Sequence, residues 1–131
     1  MKFLSLKNLV LFNILLGALA LFLGALGSHL TLENIDISDM NKFEIAQRYH
    51  MFHVLLVLVE VLMIGNDARD FFLKISMVCI IVGVLCFCGS IYAAFFFKFD
   101  YLNFLTPIGG GFLVIGWITL FVAVLARDKF V

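Results

Sequence analysis

Four long apolar stretches run through the chain, separated by short segments that hold most of the charge. A stretch of about 18 or more apolar residues with almost no charge is long enough to cross a bilayer as a helix. Hydrophobic residues make up 64% of the sequence, against about half in a soluble domain. That leaves too little polar surface to cover a water-soluble globule. The solvent for most of this chain is therefore lipid. Backbone groups in hydrocarbon must be satisfied within the structure, and the alternating polarity of barrel strands is absent. The expected fold is all-α: an up-down antiparallel four-helix transmembrane bundle, one domain over residues 1–131.

The spans are placed at about Leu9–His29, Tyr49–Gly65, Phe71–Phe97 and Asn103–Ala126. Lys2 and Lys7 before the first stretch, with Ala25-Leu26-Gly27 near its end, loosely resemble a cleaved signal. The apolar core is longer than the roughly 7–15 residues of a signal peptide, so it reads as the first span. The helix of span two is expected to begin upstream of Tyr49, with Asn41 as cap and Glu44 completing a capping-box pair. Asp36, Asp39 and Glu44 then read as solvated loop charges. Thr106-Pro107 suits the start of span four, because proline is tolerated in a first helical turn.

Basic residues set orientation. Lys2, Lys7, Arg69, Lys74, Arg127 and Lys129 fall on one side of the four spans, and Lys42, Arg48 and Lys98 on the other. Both termini are expected in the cytoplasm, with the segment from Thr31 to Arg48 facing outward. Aromatic residues gather near the boundaries, as interfacial anchors do, whereas Trp117 lies well inside span four and reads as a packing residue.

Small residues recur at helical spacing. Span one carries Gly17, Ala20, Gly24, Gly27 and Ser28; span three carries Ser76, Cys79, Gly83, Cys86 and Ser90; span four carries Gly109, Gly116 and Ala123. Between helices in lipid there is little hydrophobic drive, so close backbone approach through small residues is what associates them. Gly24, Gly27, Gly83, Gly89, Gly109, Gly110 and Gly116 are the expected packing positions. Span two lacks such a stripe. Cys79, Cys86 and Cys88 form no disulfide framework and read as small packing residues; Cys86 and Cys88 stand about 200° apart on a helix and cannot share one metal there.

Polar residues inside spans are the candidates for function. His29, Tyr49, His50, His53, Ser90, Tyr92 and Thr106 all fall at the outward end of an up-down bundle. Three readings stay open for this level: hydrogen bonds that tie helix ends together, a small-ligand, lipid or proton-handling site, and a metal held by His50 and His53, three apart on one helix, with His29 as a third ligand. Glu60 lies seven residues past His53, about 10 Å deeper at ~1.5 Å per residue. It is read either as a protonated or snorkelling acid or as part of a proton or cation path to the histidines.

Nine Lys+Arg balance nine Asp+Glu, so nothing in the charge points to a nucleic-acid partner. There is no phosphate-binding glycine loop, nucleophile elbow, paired acidic motif or Cys-x-x-Cys. No cofactor and no enzymatic activity are expected. The partners in view are the bilayer, a second copy of the chain, or a larger membrane complex.

The same motifs carry a resemblance. Gly24-Ala25-Leu26-Gly27-Ser28-His29, Phe43 with Ala46 and Tyr49-His50-Met51-Phe52-His53, Phe87-Cys88-Gly89-Ser90-Ile91-Tyr92, Thr106-Pro107-Ile108-Gly109-Gly110 and Gly116-Trp117 resemble the YgdD/YwdK-like family. It is classed as domain of unknown function 423, with a eukaryotic relative called transmembrane protein 256. The resemblance covers about residues 17–126 and implies a small four-span protein, in bacteria of the inner membrane. It brings no established activity, catalytic residue or cofactor. His29, Tyr49, His53, Ser90, Tyr92, Thr106 and Pro107 match its motif. His50 stands where glutamine is usual, Cys88 where serine is usual, and Glu60 at a usually apolar position, which weakens a His50-dependent metal site and a family-wide role for Glu60.

Overall fold

The computed structural model describes residues 5–29, 35–64 and 70–126. Four helices, each long and apolar enough to cross a membrane, account for nearly all of it: α1 Leu6–His29, α2 Ile37–Met63, α3 Asp70–Phe97 and α4 Leu105–Leu125, with a 3-10 helix at Asp100–Phe104 before α4. No strand occurs among the described residues. Of the basic residues used to orient the chain, Lys2, Arg69, Arg127 and Lys129 lie outside the described residues.

The second helix starts earlier than its apolar pattern. Asp36, not Asn41, is its N-cap: the carboxylate accepts from the Ser38 amide at 3.3 Å. Asn41 and Glu44 lie in the second turn, where backbone donors already have helical partners, so a capping box has nothing to cap. Asp39, Lys42, Glu44 and Arg48 consequently sit on a helix, not in a loop, and form i,i+3 and i,i+4 pairs at 3.5 Å (Lys42–Asp39 and Arg48–Glu44). Lys98 adopts a left-handed φ of 57° at the end of α3, and the Phe99 amide reaches back to the Ala93 carbonyl at 3.3 Å. With the Lys98 amide on the Ala94 carbonyl at 3.1 Å, this is an αL-type stop, which satisfies carbonyls the helix leaves open.

The third helix is the axis of the assembly. Leu73, Ser76, Met77, Ile80, Ile81, Val84, Cys88, Ser90 and Tyr92 are all buried, which uses more than one face of α3. Its neighbours bury only a stripe: Asn13, Leu16, Ala20 and Gly27 on α1, and Gly109, Leu113, Gly116 and Ala123 on α4. α4 lies along α3, α2 lies along α3 on another side, and α1 lies against α2 with a lighter touch on α3. The α2 and α4 backbones do not approach each other. Helices consecutive in the chain are antiparallel: Asn13, Ala20 and Gly27 meet Val54, Gln47 and Phe43, Glu60 and His50 meet Ser76 and Tyr92, and Ser76 and Ser90 meet Gly116 and Thr106.

Glycines set the closest approaches. A Cβ on Gly109 would meet the Phe87 backbone and lie 2.9 Å from the Cys86 carbonyl carbon. One on Gly116 would come within 2.6 Å of Ile80 Cγ1, one on Gly83 within 3.0 Å of the Leu113 amide nitrogen, and one on Gly17 within 3.1 Å of Val54 Cγ1. Gly27 makes room for the Phe43 ring, and Gly24 for the Gln47 amide. Gly89 and Gly110 depart from the expected packing role. A Cβ on Gly89 meets nothing within 4 Å, and one on Gly110 only the Phe87 ring, at 3.9 Å. Their spacing matches the stripes, but α3 and α4 turn those positions away from the contact.

Candidate functional site

Polar side chains converge toward the α1–α2 end, and helix packing divides them into separate groups. The first crosses three helices. The Gln47 amide nitrogen donates to the Ala20 carbonyl on α1 at 2.6 Å, and Gln47 Oε1 accepts from the Tyr92 hydroxyl on α3 at 3.1 Å. His50 Nδ1 lies 3.3 Å from the same hydroxyl. The Tyr92 proton goes to Gln47, so its oxygen is the acceptor for His50 Nδ1–H. The row runs in one direction: His50, Tyr92, Gln47, Ala20. The imidazole also lies beside the Leu16 backbone, yet its buried Nε2 makes no hydrogen bond among the described residues.

The second group points the other way. His53 Nδ1 is 2.7 Å from the Tyr49 carbonyl, and Nε2 is 3.3 Å from Trp117 Nε1. A carbonyl only accepts and an indole only donates. His53 is therefore the neutral tautomer with its proton on Nδ1. Trp117 is not a simple packing residue: it is 42% exposed, stacks on Phe52 and links α4 to α2 through that indole.

In the third group, Ser90 and Thr106 join their hydroxyls at 2.6 Å across α3 and α4, and Ser90 also donates to the Phe87 carbonyl. Both assignments cannot use the one Ser90 hydrogen, so Thr106 supplies the hydrogen between the hydroxyls when Ser90 bonds to Phe87. His29 stands apart, exposed at the end of α1.

His50 and His53 thus do not form the bidentate face that their spacing suggests. His50 turns to Tyr92 on α3, and His53 turns to Trp117 on α4. No set of three or more metal-ligating side chains gathers among the described residues. Cys88 is buried with its thiol 3.3 Å from the Ala46 carbonyl, and Cys79 and Cys86 are free thiols.

Glu60 is fully buried and so does not snorkel. Its Oε1 lies 2.6 Å from Ser76 Oγ, and Ser76 Oγ lies 2.8 Å from the Gly116 carbonyl on α4. Its Oε2 makes no hydrogen bond among the described residues. Glu60 therefore joins α2 to α3 and α4 near the opposite end of the helices, with no described hydrogen bond leading to His50 or His53.

Sequence reasoning missed two polar anchors. Asn13 is buried on α1 and donates to the Val54 carbonyl at 3.0 Å. Gln47 is the hinge of the first group. Asn13 was legible as a lone amide inside span one. Gln47 fell outside the span as drawn from hydropathy.

Between α2 and α4, over Phe87 of α3, lies a groove of about 680 Å3. Phe52, His53 and Trp117 form its walls, with Arg48, Tyr49 and Gly110 at one end. It opens on the side where Phe52 and Val114 are exposed, 58% and 59%.

Comparison with known proteins supplies a family and no activity. A UPF0382 membrane protein of Haemophilus influenzae is 33% identical over 104 residues, covering 79% of this chain and 82% of its own. One of Staphylococcus aureus is 32% identical, covering 84% of this chain and 92% of its own. The UPF0382 inner membrane protein YgdD of Escherichia coli is 25% identical, covering 94% of this chain and 93% of its own. No solved structure matches the chain at a significant level. The family profile described as protein of unknown function (DUF423) matches residues 23–110, a stretch that holds Gln47, His50, His53, Ser90, Tyr92 and Thr106 but not Trp117, and the four-helix membrane protein described above belongs to that family.

Proposed function

We propose that the chain is a non-enzymatic component of the bacterial inner membrane, with both termini in the cytoplasm, and that its outward polar groups lock the helices together rather than act on a substrate. The observation that carries this reading is His53: both ring nitrogens are engaged by the protein's own Tyr49 carbonyl and Trp117 indole. A metal or substrate at Nε2 would have to displace the indole that bridges α2 to α4. Gln47, Tyr92, Ser90 and Thr106 are likewise engaged within the chain. The inner-membrane placement is supported by the Escherichia coli relative, which is named an inner membrane protein.

The test is His53→Leu in detergent. Interhelical hydrogen bonds in membrane proteins average about 0.6 kcal/mol, with a maximum of about 1.7. The variant is expected to unfold at lower temperature by a loss within that range. Unchanged stability would remove the locking role.

A second reading is favoured by the buried carboxyl of Glu60: a homo-oligomer that moves protons or cations. One four-span chain is small for a transporter, which is commonly built from repeats. Flux in proteoliposomes that disappears in Glu60→Gln would support this reading over the first, and absent flux would remove it.

A further inference from the structure

We infer that the groove between α2 and α4 seats one anionic phospholipid, with an acyl chain along its aromatic walls and the phosphate at Arg48 and Tyr49. The seat goes beyond the locking role proposed for His53 and stands on different observations.

The first is Gly110. A glycine inside a helix costs about 0.8–1 kcal/mol relative to alanine, which tight helix contact explains at Gly109 and Gly116. It does not explain Gly110, where a Cβ would find only the edge of the Phe87 ring, at 3.9 Å. The missing side chain keeps the end of the groove open instead. The second is the way in. Phe52, Val114 and Trp117 border the groove and are themselves well exposed on the bilayer-facing surface. An acyl chain already occupies that medium, whereas a water-soluble ligand would have to cross it.

The third is charge. Arg48 at the groove end is 76% exposed, and its one described contact is a single 3.5 Å approach to Glu44. A guanidinium carries five N–H donors in a fork that fits phosphate oxygens two at a time. The Tyr49 hydroxyl beside it makes no hydrogen bond among the described residues, while its ring is held by stacking on Phe87 at 5.0 Å. The groove end thus offers a cation and a hydroxyl donor above an apolar trough, which complements a phosphate with a chain beneath it.

The experiment is native mass spectrometry of the full chain released from nanodiscs holding equal phosphatidylglycerol and phosphatidylcholine. The expected result is one phosphatidylglycerol retained per chain after phosphatidylcholine is stripped. Arg48→Gln is expected to lower that preference about fivefold, the factor for one juxtamembrane cation, with helix content and thermal unfolding unchanged because the side chain is exposed. Gly110→Leu fills the groove and is expected to abolish retention of both lipids. Equal retention of the two lipids, an Arg48→Gln variant with unaltered preference, or a chain that pairs with a second copy at this face and excludes lipid would each overturn the assignment.

Discussion

Ser76 has one hydroxyl hydrogen and two oxygens within reach, Glu60 Oε1 at 2.6 Å and the Gly116 carbonyl at 2.8 Å. The carbonyl can only accept. If Glu60 were a carboxylate it too could only accept, and one of the two contacts would lack a hydrogen. A carboxylic acid closes the count: Glu60 donates to Ser76, and Ser76 donates to Gly116. An ion in this place would also carry a burial penalty of several kcal/mol, with one hydroxyl to offset it and no described ion pair. Glu60→Gln keeps a donor for Ser76 and is expected to change stability by less than about 1 kcal/mol. Ser76→Ala leaves the buried acid with neither a donor nor an acceptor and is expected to cost about 1–2 kcal/mol, between the membrane average for one interhelical bond and the penalty of an unsatisfied buried group. Stability would be read from unfolding in mixed micelles, and protonation from infrared difference spectra of wild type against Glu60→Gln. The clamp predicts a carboxylic-acid carbonyl band at neutral pH that vanishes in the variant. Absence of that band, or a Ser76→Ala protein as stable as wild type, would refute the reasoning.

Two glycine substitutions separate close packing from mere spacing. Gly109→Ala drives a methyl into the Phe87 backbone, which cannot give way as a side chain can, and is expected to cost about 1–3 kcal/mol as α3 and α4 part. Gly89→Ala meets nothing within 4 Å and is expected to be neutral or to stabilise by about 0.5–1 kcal/mol; both are read from thermal unfolding in detergent. Gln47→Leu removes the donor to Ala20 and the acceptor for Tyr92 together. Because α1 rests mainly on α2, amide exchange in α1 should quicken more than in α4, and equal quickening in both would count against the linkage.

Helix number, position and medium were legible in the sequence because hydrocarbon imposes them locally. A run such as Phe71–Phe97 must satisfy its own backbone, whatever its neighbours are. The early start of α2 was less legible: Asp36 caps a helix whose first turns carry Asp39, Lys42 and Glu44, and hydropathy does not see a helix that continues beyond the apolar run. The seven polar residues expected at one end of the bundle were picked out by depth alone, and depth is a property of position along a span.

What the tertiary structure decided was azimuth, the side of a helix on which each group finds a partner. His50 and His53 are three residues apart, and a sequence places them on one face. Because α3 lies between α1 and α4, that small angular difference sends His50 to Tyr92 and His53 to Trp117. The same placement turns Gly109 into Phe87 and Gly110 into open space one residue later. A turn of 3.6 residues fixes which groups share a level; only the arrangement of the neighbouring helices fixes which of them meet.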